Sequence, residues 1–224
     1  MFGLNCGYVV LLLLATKGHA LPARQPRPSL VTLMKRYWPG LVTVVSMAMG
    51  LTFTVVSLYL VRFNRHAGIG GIATFWTIYA VAAFSFRIKT AGLSRRIGRY
   101  RLIFYGLLLQ GLGLWALVPV TQTWHLAFAA ASCGLGHALL FPSIVSLGSG
   151  AFPPEYRGSG TNLTLGFLDL GSAISAPLMG RIIDLPIFDG AGFRQMFFIA
   201  GSLTLSMAGT WLIVNRGRHD AESA

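Results

Sequence analysis

Four stretches of this chain carry no Asp, Glu, Lys or Arg: residues 37–61, 66–86, 102–154 and 195–215. A helix needs about 20 predominantly apolar residues to cross a bilayer, so each stretch has room for a crossing and the third has room for two. Between Arg157 and Arg181 a single charge, Asp169, interrupts one more apolar stretch. Hydrocarbon has no water to bond exposed peptide groups, so such segments must close their hydrogen bonds internally, which selects helices over an open sheet. The expected fold class is all-α: a polytopic membrane helix bundle. Six full transmembrane helices are expected at about 39–61, 69–86, 102–120, 124–152, 159–185 and 196–215, with a shorter apolar helix before them.

That shorter segment, residues 1–16, contains the run Tyr8-Val9-Val10-Leu11-Leu12-Leu13-Leu14-Ala15. A secretory leader places its basic residues ahead of the apolar core. Here Lys17 follows it, so the segment reads as the end of a truncated helix; a signal-like leader cut near Gly18-His19-Ala20 is the alternative. Residues 17–38 read as a basic linker in which Pro22, Pro26 and Pro28 oppose continuous helix. The bundle occupies 39–215 and a tail 216–224.

Hydrophobic residues make up 54% of the chain and charged ones 11%, which excludes an ordinary soluble domain. The formal charge of +12 would suggest nucleic acid in a soluble protein, but here the basic residues gather at the ends of apolar stretches, where they orient helices and meet lipid headgroups. If the connections alternate sides, Lys17, Arg24, Arg27, Lys35, Arg36, Arg87, Lys89, Arg95, Arg96, Arg99, Arg101, Arg157, Arg216 and Arg218 fall on one side. Only Arg62, Arg65, Arg181 and Arg194 fall on the other. The positive-inside rule places the first group, with the C-terminal tail, in the cytoplasm of a cell (inner) membrane. Membrane lipid is the expected partner and nucleic acid is not.

The connection after the second full span reads Ala91-Gly92-Leu93-Ser94-Arg95-Arg96-Ile97-Gly98-Arg99-Tyr100-Arg101. It resembles the short basic loop of the major facilitator superfamily, G-x-x-x-D-[RK]-x-G-[RK]-[RK]. Arg96, Gly98, Arg99 and Arg101 fall at or beside its basic and glycine positions. Gly92 stands next to the first glycine position, and Arg95 replaces the aspartate. Leu140-Phe141-Pro142, Glu155-Tyr156-Arg157-Gly158, Leu168-Asp169-Leu170-Gly171 and Gly180-Arg181-Ile182-Ile183-Asp184 resemble the last third of these transporters in order and spacing. The resemblance implies half of a major facilitator fold, the C-terminal half, with helices seven to twelve of the family at 39–215 and the end of helix six at 1–16. It also implies a partner: a missing N-terminal six-helix half or a second membrane subunit.

An acid in the hydrocarbon costs at least about 2.5 kcal/mol on insertion scales, so Asp169 is a functional candidate by default. Counted from Ser159 at 1.5 Å per residue it lies about 15 Å into its span, near mid-membrane. Proton-coupled members of the family use such carboxylates as proton carriers, which the resemblance implies for Asp169; the structural alternative is a bond to a neighbouring helix. His137, Phe141 and Asn162 are the secondary substrate-cavity candidates, with Tyr59, Trp76, Tyr79 and Phe167 as further aromatic walls or as packing residues. Ala176-Pro177-Leu178-Met179-Gly180 weakly resembles the G-P-x-x-G core of antiporters. Ser172, Ala176 and Gly180 make a small-residue stripe suited to close helix approach. Trp38, Trp124 and Trp211 read as interfacial anchors. Gln110 falls on a helix that is peripheral in the family and receives no role.

Enzyme signatures are missing: the chain contains no H-E-x-x-H, G-x-S-x-G or G-x-x-x-x-G-K-[ST]. Its five His are scattered, and Cys6 and Cys133 have no ligand spacing, so neither metal nor cofactor is expected. The function expected from the resemblance is secondary active transport, as proton-coupled efflux of a small compound by alternating access. Uptake of sugars or organic ions is the competing variant. The alternative class is a non-transporting truncated membrane protein or scaffold.

Overall fold

The computed structural model describes residues 28–89, 97–185 and 192–217. The helix expected at 1–16, and Gly92, Arg95 and Arg96 of the basic loop, lie outside the described residues. The chain divides into two compact units, Met1–Arg36 and Tyr37–Ala224.

In the described part of the first unit, Leu30–Arg36 forms a short helix, α1. The linker was expected to resist helix around its prolines, and α1 begins only after Pro28, where the Ser29 hydroxyl accepts the Thr32 amide at 3.2 Å and caps the first turn.

The second unit is built of helices joined by short connections in its described length. It comprises α2 (Leu41–Ala67), α3 (Ile72–Lys89), α4 (Arg99–Ala116), α5 (Leu126–Gly150), α6 (Arg157–Asp184) and α7 (Gly192–Val214). By length and composition α2, α5, α6 and α7 can each cross a membrane, and Ile72–Ile88 of α3 is a shorter apolar helix. Among the boundaries that differ from the expected ones, two have a legible reason. α2 runs past Val61 because its stop is Gly68, at φ 64°; the amides of Gly68 and Ile69 bond back to the carbonyls of Arg65 and Asn64. Such a left-handed cap favours glycine. α3 starts three residues late because Gly70 and Gly71 hold φ of 71° and 75°.

α4 lies along α5, α7 along α4, α6 along α2, and α3 against α5, which also touches α6. Two apolar cores result. One contains Leu60, Phe75, Leu114, Leu126, Met196 and Phe197; the other contains Val45, Met49, Ile103, Leu140, Ile144 and Trp211. Trp211 corrects an expectation: it is not an interfacial anchor but is 1% exposed, stacked on Tyr100 and donating from Nε1 to the Tyr100 carbonyl at 2.9 Å. Trp124 and Trp38 remain exposed, as interfacial residues do.

Lipid tails are as apolar as Leu, so membrane helices gain little from burying apolar surface against each other and rely on close contact and interhelical bonds. α2 and α6 meet backbone to backbone. A Cβ on Gly50 would collide with the Leu168 carbonyl oxygen, and one on Gly171 would collide with the Met47 backbone. The contact is fastened by the Ser172 hydroxyl, which donates to the Gly50 carbonyl at 3.1 Å, and by the Tyr59 hydroxyl, which donates to the Ala176 carbonyl. The Ser172, Ala176 and Gly180 stripe is thus the face that α2 covers. Gly209 of α7, in contrast, has open space around it.

Replacing Gly171 by Leu should therefore separate α2 from α6 and destabilise the protein by at least about 1–3 kcal/mol, the usual cost of overpacking. Thermal unfolding in detergent should show a clearly lowered midpoint for Gly171→Leu and an unchanged or slightly raised one for Gly209→Ala. Equal midpoints for Gly171→Leu and wild type would refute the contact.

Candidate functional site

Asp169 and Asn162 are seven residues apart on α6, which puts them on one face two turns from each other. Both are exposed, and Gly166, Ala173 and Pro177 continue the same exposed stripe. Leu170, Ile174 and Leu178 form an exposed apolar stripe beside it. α6 is the least buried of the four membrane-length helices. Asp169 makes no hydrogen bond or ion pair among the described residues, so the structural alternative of a bond to a neighbouring helix is not realised within them. Its outward direction follows from the α2 contact. Gly171 is held against Met47, and a residue two positions earlier is turned by about 200°.

The helix that covers α6 is irregular one to two turns beyond Asp169, beside Ser172 and Ala176. Residues Val55–Tyr59 of α2 form a π turn, a feature frequent at functional sites. This turn ends at Tyr59, whose hydroxyl bonds the carbonyl preceding Pro177. Tyr59 is buried, so it serves as a packing residue and not as a cavity wall.

His137 and Phe141 come together in a second group. They lie one turn apart on α5, with rings nearly parallel (7°) and centroids 5.8 Å apart. Phe53 of α2 stands 6.2 Å from the His137 ring and Tyr79 of α3 stands 6.0 Å from it. Trp76 and Phe75 extend the row from Tyr79. Gly134 brings α3 this close: a Cβ there would collide with the Tyr79 carbonyl oxygen. His137, Phe141 and Tyr79 are half-buried, and Phe53 is exposed. No hydrogen bond, ion pair or ring contact joins this aromatic group to Asp169 or Asn162 among the described residues, so the candidates form two sets. Phe167 belongs to neither; its ring meets Trp38 edge-on at 5.5 Å.

Of the basic loop, the described part is Gly98, Arg99 and Arg101. Gly98 has φ 86° and precedes α4, which accounts physically for a glycine there. The Arg99 guanidinium donates to the Ser146 hydroxyl of α5 at 3.4 Å. Gln110, which the resemblance leaves without a role, is 5% exposed and accepts the Thr52 hydroxyl of α2. An amide in the middle of an otherwise apolar helix was the available sign that α4 carries an internal polar tie.

The profile of the Major Facilitator Superfamily matches this chain in two overlapping stretches, residues 3–176 and 40–224. The chain belongs to the Major Facilitator Superfamily. This superfamily consists of transporters and not of enzymes, and the chain is accordingly an integral membrane protein. It is 27% identical to the uncharacterized MFS-type transporter STM4428 of Salmonella typhimurium over 188 residues, which is 83% of this chain and 46% of that protein. It is 30% identical to the uncharacterized MFS-type transporter PA1993 of Pseudomonas aeruginosa, over 63% of this chain and 39% of that protein. It is 24% identical to the uncharacterized MFS-type transporter YhhS of Salmonella typhi, over 90% of this chain and 47% of that protein. The chain thus spans a little under half the length of these relatives. No solved structure matches it significantly.

If the polar stripe of α6 meets water, single cysteines placed by Asn162→Cys and Asp169→Cys should react with a membrane-impermeant maleimide several-fold faster than those placed by Leu170→Cys and Ile174→Cys. The test uses a background carrying Cys6→Ser and Cys133→Ala. Equal rates on the two stripes would mean that they share one environment.

Proposed function

We propose that this chain is the C-terminal half of a secondary transporter of the superfamily, moving a small compound by alternating access with proton coupling through Asp169. Residues 39–215 then correspond to family helices seven to twelve, and a second six-helix body covers the exposed face of α6. One observation carries the reading: an acid and an amide, Asp169 and Asn162, stand exposed on a membrane-length helix without a bonding partner among the described residues. Lipid is a poor neighbour for either group, whereas an aqueous cavity between two rocking bundles suits both. Support for the C-terminal assignment comes from the order of the Arg96-x-Gly98-Arg99, Leu140-Phe141-Pro142, Glu155-Tyr156-Arg157-Gly158 and Asp169-Leu170-Gly171 elements.

In this arrangement Asp169 takes a proton when the cavity opens to the acidic side and releases it on the other. His137 and Phe141 face the substrate, and Asn162 supplies a hydrogen-bonding amide nearer the cytoplasm. Efflux is the direction we favour. The side assignment rests on the arginine asymmetry, with Arg87, Arg99, Arg101 and Arg157 at the cytoplasmic ends of the helices and the C-terminus also cytoplasmic.

Two measurements test the reading. In proteoliposomes, a proton gradient should drive flux of amphipathic probe compounds, and Asp169→Asn should lower the gradient-driven component by about 5- to 150-fold, the usual size of a coupling free energy. Flux that keeps its gradient dependence in Asp169→Asn would remove Asp169 from the mechanism, and absence of flux would favour the non-transporting scaffold. An epitope placed after Asn215 should be reached by antibody only after cells are permeabilised. Reaction on intact cells would invert the arrangement.

A further inference from the structure

The transport reading leaves the second six-helix body unnamed, and two uncovered faces of this chain bear on what it is. The outward stripe of α6 carries Asn162, Gly166, Asp169 and Ala173, all exposed and spaced four, three and four residues apart. α3 is seated mainly on α5, and away from that contact it exposes Ala73, Thr77, Ala80 and Phe84 at the same spacings. At 3.6 residues per turn each set lies in line along one helix face.

The two stripes also match in depth. α3 ends at Lys89 and α6 begins at Arg157, on the side where the basic residues gather, so the two helices cross in opposite directions. Counted inward from those ends at 1.5 Å per residue, Thr77 and Asp169 both lie about 18 Å deep, and Ala80 and Gly166 both lie about 14 Å deep. Ala73 and Ala173 both lie about 24 Å deep, and Asn162 comes level with Phe84 beside the exposed Ser85. Laid antiparallel, α6 and the α3 stripe therefore meet polar on polar and small on small. Neither the Asp169 carboxylate nor the Thr77 hydroxyl has a hydrogen-bond partner among the described residues, and the hydroxyl can donate to the carboxylate where lipid offers it nothing. Gly166 has open space around it, which admits the close approach on which membrane helices depend.

Within one copy the stripes are not packed on each other, since α6 is seated on α2 and α5. A second copy inserted by the same arginine asymmetry has the same orientation. Rotation by half a turn about the membrane normal then sets α6 of each copy antiparallel to α3 of the other, a closed arrangement with two identical contacts. The family match points the same way. Its two stretches, 3–176 and 40–224, overlap over residues that include both stripes, so this one body meets the family's description twice. The two halves of such transporters are repeats related by an axis along the membrane normal, and two copies of one body reproduce that relation.

We propose that the second body is a second copy of this chain, with α6 of each copy on α3 of the other and Asp169 beside the opposite Thr77. This deepens the transport reading by naming the covering body, and self-association can be measured without transport.

The test joins two differently tagged copies of the full chain, each with one introduced cysteine in a background carrying Cys6→Ser and Cys133→Ala. They are reconstituted together in phosphatidylcholine liposomes and treated with a short thiol-to-thiol cross-linker. Gly166→Cys in one copy should link to Ala80→Cys in the other, and Ala173→Cys to Ala73→Cys. Gly166→Cys with Ala73→Cys, out of register by about 10 Å, and Ile213→Cys on the exposed side of α7 should give little product. Fluorescence transfer between labelled copies diluted in lipid should show a dimer, and Gly166→Leu should weaken it by about tenfold or more through overpacking at the contact. Ala80→Leu should do the same from the α3 side, and circular dichroism checks that both variants stay helical. A chain that remains monomeric at every dilution, equal product from the out-of-register pair, or folded Gly166→Leu and Ala80→Leu that both dimerise like wild type would each overturn the proposal. So would linkage of Gly166→Cys to a different chain, in membranes of the source cell, without linkage to Ala80→Cys. The two readings fail separately. Gradient-driven flux sensitive to Asp169→Asn from a monomeric chain rejects the pairing and keeps transport. Register-specific pairing without gradient-driven flux keeps the pairing and rejects transport.

Discussion

The backbone contact in which Gly50 of α2 meets Leu168 and Ser172, and Gly171 of α6 meets Met47, governs much of what this bundle can do. In lipid the association of helices depends on how closely their backbones approach and on the carbonyls that side chains can reach. With both glycines in place, the Ser172 hydroxyl reaches the Gly50 carbonyl and Thr54 and Tyr59 lie against the carbonyls of Ser172 and Ala176. Fixing one side of α6 in this way also fixes the other. The stripe of Asn162, Gly166, Asp169, Ala173 and Pro177 is left outward because it is the reverse of the glycine face, so the placement of the acid is a consequence of the packing and needs no separate device.

α5 plays the same part for the aromatic group. Its small residues take three neighbours at successive positions: Gly134 receives α3, Gly136 receives α4 at Gly106 and Gln110, and Gly148 receives Thr164 of α6. His137 lies directly after two of these contacts, so its ring is positioned by a segment held on two sides. Gln110 and Thr52 add a polar tie between α4 and α2 inside the bundle. Gln110 and Thr52 are thus satisfied within the bundle, in contrast with Asp169, which has no bond among the described residues.

The helices and their order were legible because a charge-free stretch of sufficient length admits few structures in lipid. The small-residue stripe at Ser172, Ala176 and Gly180 was legible for a similar reason, since spacing of four places residues on one face. What was not legible depended on partners distant in the chain. Trp211 reads as an anchor from its place near a helix end, and only the approach of Tyr100, 111 residues away, turns it inward. Phe53 and Tyr79 could not be joined to His137 by any sequence pattern, because three helices supply the group. The π turn at Val55–Tyr59 left no sign either: nothing in Val-Val-Ser-Leu-Tyr distinguishes it from ordinary helix, and it arises where α2 must bring Tyr59 to the carbonyl beside Pro177.

An exposed acid on a membrane-length helix constrains whatever covers the helix. A dry, close-packed neighbour is a costly surrounding for Asp169, whereas water or a hydrogen-bond donor that reaches the stripe suits it. In the transport reading, a body that closes over Asn162, Gly166 and Ala173 and one that withdraws therefore leave this acid in different surroundings. Coupling in the transport reading therefore requires no relay of contacts between Asp169 and the aromatic group around His137, which share no hydrogen bond or ring contact among the described residues. It requires only that one movement of the covering body open both, since α2 lies between them, carrying Phe53 toward His137 on one side and Gly50 against α6 on the other.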